Sequence, residues 1–168
     1  PTAPHRLVMA SGESTGARTR ARELLLQALY QKQIAGHDCP VLLSQVREQV
    51  AYDRVDQEYF DELLNAICKT QAELEQSVDK LIDRPLEQLD PVELGILLIG
   101  VYELQSRIDI PYRVVINECV NLARRFGAMG FPAMVIVAPD GMIGSVHMGL
   151  SSADEVAESV AAVVQEAG

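Results

Sequence analysis

The sequence lacks the features that would place the chain in a membrane or send it out of the cell. It contains no apolar run approaching the roughly 20 residues that cross a bilayer as a helix. Its N-terminal residues do not show the order of basic, apolar and small residues that defines a signal peptide. We therefore expect a soluble, cytoplasmic protein without membrane association.

Cysteine and histidine are scarce and scattered. Cys39, Cys68 and Cys119 are an odd number of cysteines, widely spaced and without a CxxC pair. The histidines are equally dispersed along the chain. Metal sites and disulfide frameworks are usually recognised by close, regular spacing of these residues. The sequence therefore predicts cysteine thiols in a reducing compartment, and neither a metal site nor a cofactor.

Motifs that support catalysis are also missing from the sequence. It has no nucleophile elbow, phosphate-binding glycine loop, metal-ligand motif or paired-carboxylate site. Serine, histidine and aspartate all occur, but nothing in their spacing places them together. We therefore expect a protein that is not an enzyme.

The charge is strongly negative, with 14 Lys and Arg against 24 Asp and Glu, a net charge of -10. Affinity for phosphate comes from local positive charge, so this balance argues against nonspecific nucleic-acid binding by the whole surface. It leaves room for a small basic patch, and it suits a basic protein partner.

Apolar periodicity predicts a mainly α-helical chain. Residues 1–16, rich in Pro, Gly, Ser and Thr, are predicted to be a flexible leader. Helices follow from Ala17 to about Gly36 and then, approximately, over residues 41–51, 57–69, 70–82, 92–107 and 111–126. For the helix at 92–107, Asp90 is predicted as the N-cap, Pro91 as the first helical residue and Glu93 as the partner that completes a capping box. Gly127 is predicted as the C-cap of the helix at 111–126.

The composition changes at Met129. Residues 129–168 contain no Lys or Arg, whereas residues 17–128 contain 13 of the 14 in the chain. Two short apolar runs flank Pro139-Asp140-Gly141, which predicts a β-hairpin, and a capped helix is predicted after it. We predict three segments: the leader 1–16, a helical domain 17–128 and a tail 129–168.

Three arginines stand at the start of the first predicted helix: Arg18, Arg20 and Arg22. Cations there oppose the helix dipole by a few tenths to about 1 kcal/mol each, so the cluster requires another explanation. Arginine forms paired hydrogen bonds to phosphate and stacks on bases. The alternative is a solvated, charged first turn with Glu23 nearby.

A second cluster is acidic: Glu87 and Glu93 flank the break before the helix at 92–107, with Asp90 between them. Helix capping explains these residues without any further role. The functional alternative is a docking site for a basic partner.

Two stretches of this sequence resemble the NusB family of transcription antitermination factors. They are Ala17 to Glu23 with Gln27 to Tyr30, and Pro111 to Glu118 with Leu122 to Ala128. The resemblance implies a helical bundle that binds boxA RNA together with NusE and joins an RNA polymerase antitermination complex, without catalysis. It assigns RNA binding to Arg18, Arg20, Arg22, Gln27 and Tyr30, and partner binding to Glu87, Glu93 and Phe126. A homodimer is a further expectation.

The tail departs from this family, which normally continues with an acidic segment and a last helix that closes the bundle. Residues 130–137, 139–141 and 147–149 instead resemble the C-terminal third of a thioredoxin-like domain. The tail is then a joined sequence, a natural fusion or a diverged end. The alternative functions are a thioredoxin-like oxidoreductase fragment, against which the missing CxxC argues, and a helical scaffold without retained activity.

Overall fold

The computed structural model describes residues 3–128, 134–137 and 143–147, and the single residues 154, 157, 158, 160 and 161. Residues 3–15 and the two strands are described by their backbone. The chain divides into two compact units, Pro1–Lys69 and Thr70–Gly168. Among the described residues, no helix is both long and apolar enough to cross a membrane.

The described elements are mainly helical, as predicted. The helices are α1 (Ala3–Ala35), α2 (Cys39–Arg47), α3 (Gln57–Asp79), α4 (Pro91–Ser106) and α5 (Tyr112–Phe126). Two short 3₁₀ helices, Val50–Arg54 and Leu86–Gln88, lie between them. Two strands follow, β1 (Met134–Val137) and β2 (Ile143–His147).

The first helix begins earlier than the sequence predicted. The backbone is helical from Ala3, whereas the pattern predicted a flexible leader up to Gly16 and helix from Ala17. Pro4 lies in the first turn, where a missing N–H costs no helical hydrogen bond. A glycine inside a helix costs only about 1 kcal/mol, so Gly12 and Gly16 weaken the helix without ending it.

The first unit has an apolar core contributed by α1, α2 and α3. Its fully buried side chains include Leu25, Leu29, Leu42, Phe60, Leu63 and Ile67. α1 packs against α2 and against the first 3₁₀ helix. The contacts with the 3₁₀ helix hold the middle of α1, which carries the arginine cluster, close to residues 50–54.

Two predicted helix boundaries are corrected by the structure. The helix predicted over residues 41–51 is α2, which ends at Arg47, followed by the separate 3₁₀ helix Val50–Arg54. The helices predicted over 57–69 and 70–82 form one helix, α3, with a single non-helical residue at Thr70 (φ -114°, ψ 17°). The predicted break thus falls on the observed kink.

The structure departs from the expectation of three thiols at two of the cysteines, which it shows bonded to each other. Cys39, at the start of α2, forms a disulfide with Cys68 in α3, with their Cα atoms 6.3 Å apart. Cys119 is half-buried and takes no part in a disulfide. The two bonded cysteines are 29 residues apart in sequence. Spacing alone could not reveal their pairing, since it depends on how α2 and α3 pack.

In the second unit α4 packs against α5. The capping box at Asp90 is confirmed: its carboxylate accepts from the Val92 and Glu93 amides, and Pro91 follows it. No residue of α4 from Pro91 to Leu104 is exposed, and Ile96, Leu98, Ile99 and Val101 lie in the core. The C-cap of α5, Gly127, is also confirmed, with a left-handed φ of 67°.

β1 and β2 pair antiparallel, with Met134 opposite His147 and Val135 opposite Val146. Residues 138–142, where the sequence predicted the turn, lie outside the described residues. The greater part of the predicted tail helix does so as well. The predicted segment boundary between Ala128 and Met129 stays a prediction.

Candidate nucleic-acid interface

The arginine cluster lies in the middle of α1 and not in its first turn. Because the helix begins at Ala3, Arg18 is preceded by about four helical turns. The helix dipole acts mainly on charges in the first and last turns. The dipole penalty expected from the sequence is therefore small, and the surroundings of each arginine determine what the cluster can do.

The three arginines point to two sides of α1. Each residue turns the helix by about 100°, so Arg18 and Arg22 share one side and Arg20 lies on the other. The side chain of Arg22 is buried, with 2% of its surface exposed, whereas Arg20 is exposed. The cluster therefore contains one buried, one half-buried and one exposed guanidinium group.

Arg18 and Arg22 both lie over the ring of Tyr59. The guanidinium carbons are 5.1 and 5.3 Å from the ring centroid, a distance at which a cation is attracted to the ring. Tyr59 lies in the first turn of α3 and is buried. The sequence alone did not identify Tyr59 as their partner.

Asp56 joins the start of α3 to the start of the arginine cluster. Its backbone amide donates to the Ala17 carbonyl at 3.2 Å. One carboxylate oxygen accepts from the Tyr59 amide at 3.1 Å, and the other forms an ion pair with Arg18 Nε at 3.4 Å. Arg18 is thus positioned by an acidic group and a ring while about a third of its side chain (34%) stays exposed.

Arg20, Gln27 and Tyr30 form the exposed side of α1, which we call the outer face. They follow each other at spacings of seven and three residues, which keeps them on one side of a helix. All three are exposed, and Tyr30 has 44% of its surface in solvent. The outer face offers a guanidinium, an amide and an aromatic ring, which are groups that bind phosphate, base edges and base faces.

The predicted partner-binding residues belong to the second unit. Glu87 lies in the 3₁₀ helix Leu86–Gln88 and is exposed. Glu93 is buried, and its Oε2 accepts from the Asp90 amide at 3.2 Å as part of the capping box. Phe126 is half-buried in the last turn of α5. Glu87 is therefore accessible to a partner, while Glu93 is engaged in capping.

A third arrangement anchors the first 3₁₀ helix. The Tyr52 hydroxyl donates to Asp61 at 2.9 Å, and the Arg47 guanidinium pairs with the same carboxylate. Burial raises the pKa of Tyr52, and its hydrogen bond to Asp61 acts in the same direction. The bond to Asp61 raises the pKa of Arg47 as well. Within the described residues, no group of three His, Cys, Asp or Glu could hold a metal ion.

Together these features define a helical protein that offers a polar and aromatic helix surface for recognition. Comparison with known proteins identifies the family to which this helical protein belongs. The model of the NusB family matches residues 19–135, and the chain belongs to this family. Its members are non-enzymatic, RNA-binding antitermination factors, and the chain accordingly is not an enzyme.

Individual relatives agree with this assignment. The transcription antitermination protein NusB of Halorhodospira halophila is 48% identical over 119 residues, covering 71% of this chain and 76% of the relative. The protein of the same name from Paraburkholderia phymatum is 44% identical over 111 residues, covering 66% and 77%. That from Pseudomonas syringae pv. tomato is 42% identical over 120 residues, covering 71% and 72%.

Proposed function

We propose that this chain acts in transcription antitermination by binding boxA RNA together with NusE, and that the pair then joins RNA polymerase. Membership of the NusB family supports the general role. The observation that supports RNA binding most directly is the outer face of α1, where Arg20, Gln27 and Tyr30 are exposed together. The proposed activity takes place in the cytoplasm.

The three arginines have different roles in this proposal. Arg20 contacts RNA phosphate from the outer face, and Arg18 contacts it with the exposed part of its side chain. Arg22 is 2% exposed and has little surface to offer a phosphate. We assign Arg22 a positioning role: it packs on the Tyr59 ring that also holds Arg18.

Glu87 is proposed to contact NusE. It is exposed on a 3₁₀ helix, and the net charge of -10 suits a basic partner. Phe126 is proposed to add apolar contact area to the same partner surface. Glu93 contributes by capping α4 and thereby fixing the chain next to Glu87.

Substitution on the outer face tests RNA binding. Replacing Arg20 and Tyr30 by alanine should weaken boxA affinity by at least about tenfold, since a phosphate contact and a stacking platform are both lost. Lys69→Ala is the matched control, because Lys69 is an exposed cation on another helix. Fluorescence anisotropy with labelled RNA measures the affinity. An unchanged affinity in the double variant would count against the proposed surface.

Charge reversal tests the NusE contact. Glu87→Lys should abolish association with NusE in a pull-down while circular dichroism stays unchanged. Glu93→Gln is the comparison variant. It should weaken the cap of α4 and lower the free energy of unfolding by about 1 kcal/mol, but it leaves the exposed carboxylate of Glu87 in place. Retained association in Glu87→Lys would remove Glu87 from the proposed interface.

No observation favours the two alternative functions. Of the residues that suggested a thioredoxin-like fragment, 134–137 and 147 are described by their backbone alone. Residues 130–133, 139–141, 148 and 149 lie outside the described residues. The disulfide between Cys39 and Cys68 joins cysteines 29 residues apart and is not the CxxC pair of that redox chemistry. Homodimer formation and the departure of the tail from the family's last helix stay predictions.

A further inference from the structure

The structure brings a second exposed arginine, Arg54, next to the outer face of α1. The Nε of Arg20 donates to the backbone carbonyl of Arg54 at 2.8 Å, although the residues are 34 positions apart. Arg54 is the last residue of the first 3₁₀ helix. Because Arg20 contacts the backbone carbonyl of Arg54, the side chain of Arg54 begins close to the Arg20 guanidinium.

The backbone at Arg54 is held on both sides. Tyr52, buried within the same 3₁₀ helix, packs edge-on against Phe60 with ring centroids 5.8 Å apart. Its hydroxyl is bound by Asp61, and its carbonyl accepts from Gln57 Nε2 at 3.2 Å. On the other side the Asp56 amide donates to the carbonyl of Ala17 at 3.2 Å. The chain on either side of Arg54 is therefore tied to α1 and α3.

The side chain of Arg54 differs from those of other arginines nearby. Arg18 pairs with Asp56 and Arg47 with Asp61. Arg54 is exposed, and among the side chains that the structure describes its guanidinium has no carboxylate partner. The Arg20 guanidinium and the start of the exposed Arg54 side chain therefore lie together on the surface of a chain whose net charge is -10. Such a pair is suited to an anionic backbone.

We propose that Arg54 is a further RNA-binding residue, which with Arg20 grips neighbouring phosphates of the bound single-stranded RNA. This inference rests on the proposed function of the outer face. It extends the site from α1 to the first 3₁₀ helix, so the RNA backbone crosses the junction between the two elements. The packing of α1 on the 3₁₀ helix is what creates this part of the site.

The test measures the affinity of the full chain for a labelled boxA oligonucleotide at several salt concentrations. Arg54→Ala should lower the affinity by roughly tenfold and reduce the slope of log K against log salt by about 0.7, the value for one phosphate contact to a single strand. Arg54→Lys should recover most of the slope. Lys69 lies about 18 Å along α3 from the start of that helix, at Gln57. Lys69→Ala should therefore change neither the affinity nor the slope.

The outcomes separate this inference from the function on which it rests. If Arg20→Ala weakens binding while Arg54→Ala leaves affinity and slope unchanged, the role of Arg54 is refuted and the outer face stands. If the unsubstituted chain does not bind boxA RNA, the proposed function fails, and Arg54 with it. A loss in Arg54→Ala that Arg54→Lys does not recover, accompanied by lower stability in urea, would assign Arg54 a structural role and overturn the proposal.

Discussion

At the scale of single residues, Tyr59 organises the arginine cluster. Its ring receives Arg18 and Arg22, and its amide is capped by Asp56. A cation over a partly desolvated ring contributes about 1 to 2 kcal/mol. The mutual repulsion of Arg18 and Arg22 on one side of α1 is therefore offset by contacts with a residue from another helix.

Two substitutions at Tyr59 should distinguish what its aromatic ring contributes to stability from what its buried volume contributes. Tyr59→Leu should lower the free energy of unfolding by about 2 to 4 kcal/mol, since two cation–ring contacts and part of the buried area are lost. Tyr59→Phe keeps the ring and should cost much less. Urea unfolding followed by circular dichroism measures both. Equal losses in the two variants would show that the ring contacts with the arginines contribute little.

The arginine cluster also shows what the sequence could and could not predict about the site. The spacing of Arg18, Arg20 and Arg22 by itself puts them on two sides of a helix, and the structure has them so. It could not predict which side would be buried, because that depends on Tyr59 and Asp56 beside it. The contact between Arg20 and Arg54 was missed for the same reason, since no local pattern links residues 34 apart.

At the scale of elements, α4 and α5 approach each other closely at Gly100. A Cβ atom built on Gly100 would lie 2.8 Å from the Sγ of Cys119, closer than such atoms normally come. The Cys119 thiol points back to the Ile96 carbonyl at 4.0 Å. Glycine at position 100 therefore allows this close packing, at a cost in helix propensity of about 1 kcal/mol.

The close approach predicts that Gly100→Ala changes the free energy of unfolding in opposite directions with and without the Cys119 sulfur. Gly100→Ala alone should destabilise the protein by about 1 kcal/mol or more, because overpacking outweighs the gain in helix propensity. In a Cys119→Ala background the obstructing sulfur is gone, and the same substitution should stabilise by up to about 1 kcal/mol. Thermal unfolding of the four proteins measures this cycle. The same sign in both backgrounds would contradict the packing described.

Elements with strong local signals were predicted well. Asp90, Pro91 and Glu93 fixed the start of α4, and Gly127 fixed the end of α5. Elements governed by packing were predicted less well. The helix at residues 41–51 divides because Tyr52 turns into the core, where its ring meets Phe60. The disulfide between Cys39 and Cys68 depends likewise on the placement of α2 beside α3.

At the scale of the whole molecule, the disulfide acts on the unfolded chain. Closing a loop of 29 residues removes conformational entropy worth about 3 to 4 kcal/mol in the loop-closure model. The cytosol keeps most cysteines reduced. In the proposed cytoplasmic setting the two cysteines are therefore expected as neighbouring thiols, and the bond as a feature of the protein under oxidising conditions.

Reduction should accordingly lower stability by a measurable amount. Dithiothreitol should reduce the free energy of unfolding by up to about 3 to 4 kcal/mol, and Cys39→Ser should be equally unstable with or without it. A thiol assay on the unfolded, oxidised protein should find one free thiol, that of Cys119. Detection of all three cysteines as free thiols after mild oxidation would contradict the pairing.

The central claim is that this acidic chain of the NusB family binds boxA RNA with NusE. The most direct measurement is the anisotropy of labelled boxA RNA and of a scrambled RNA of equal composition, titrated with the full chain with and without NusE across a salt series. We predict tighter binding of boxA, a further gain with NusE, and affinity that falls linearly with salt on logarithmic axes. Equal affinity for both RNAs, unaffected by NusE, would contradict the claim.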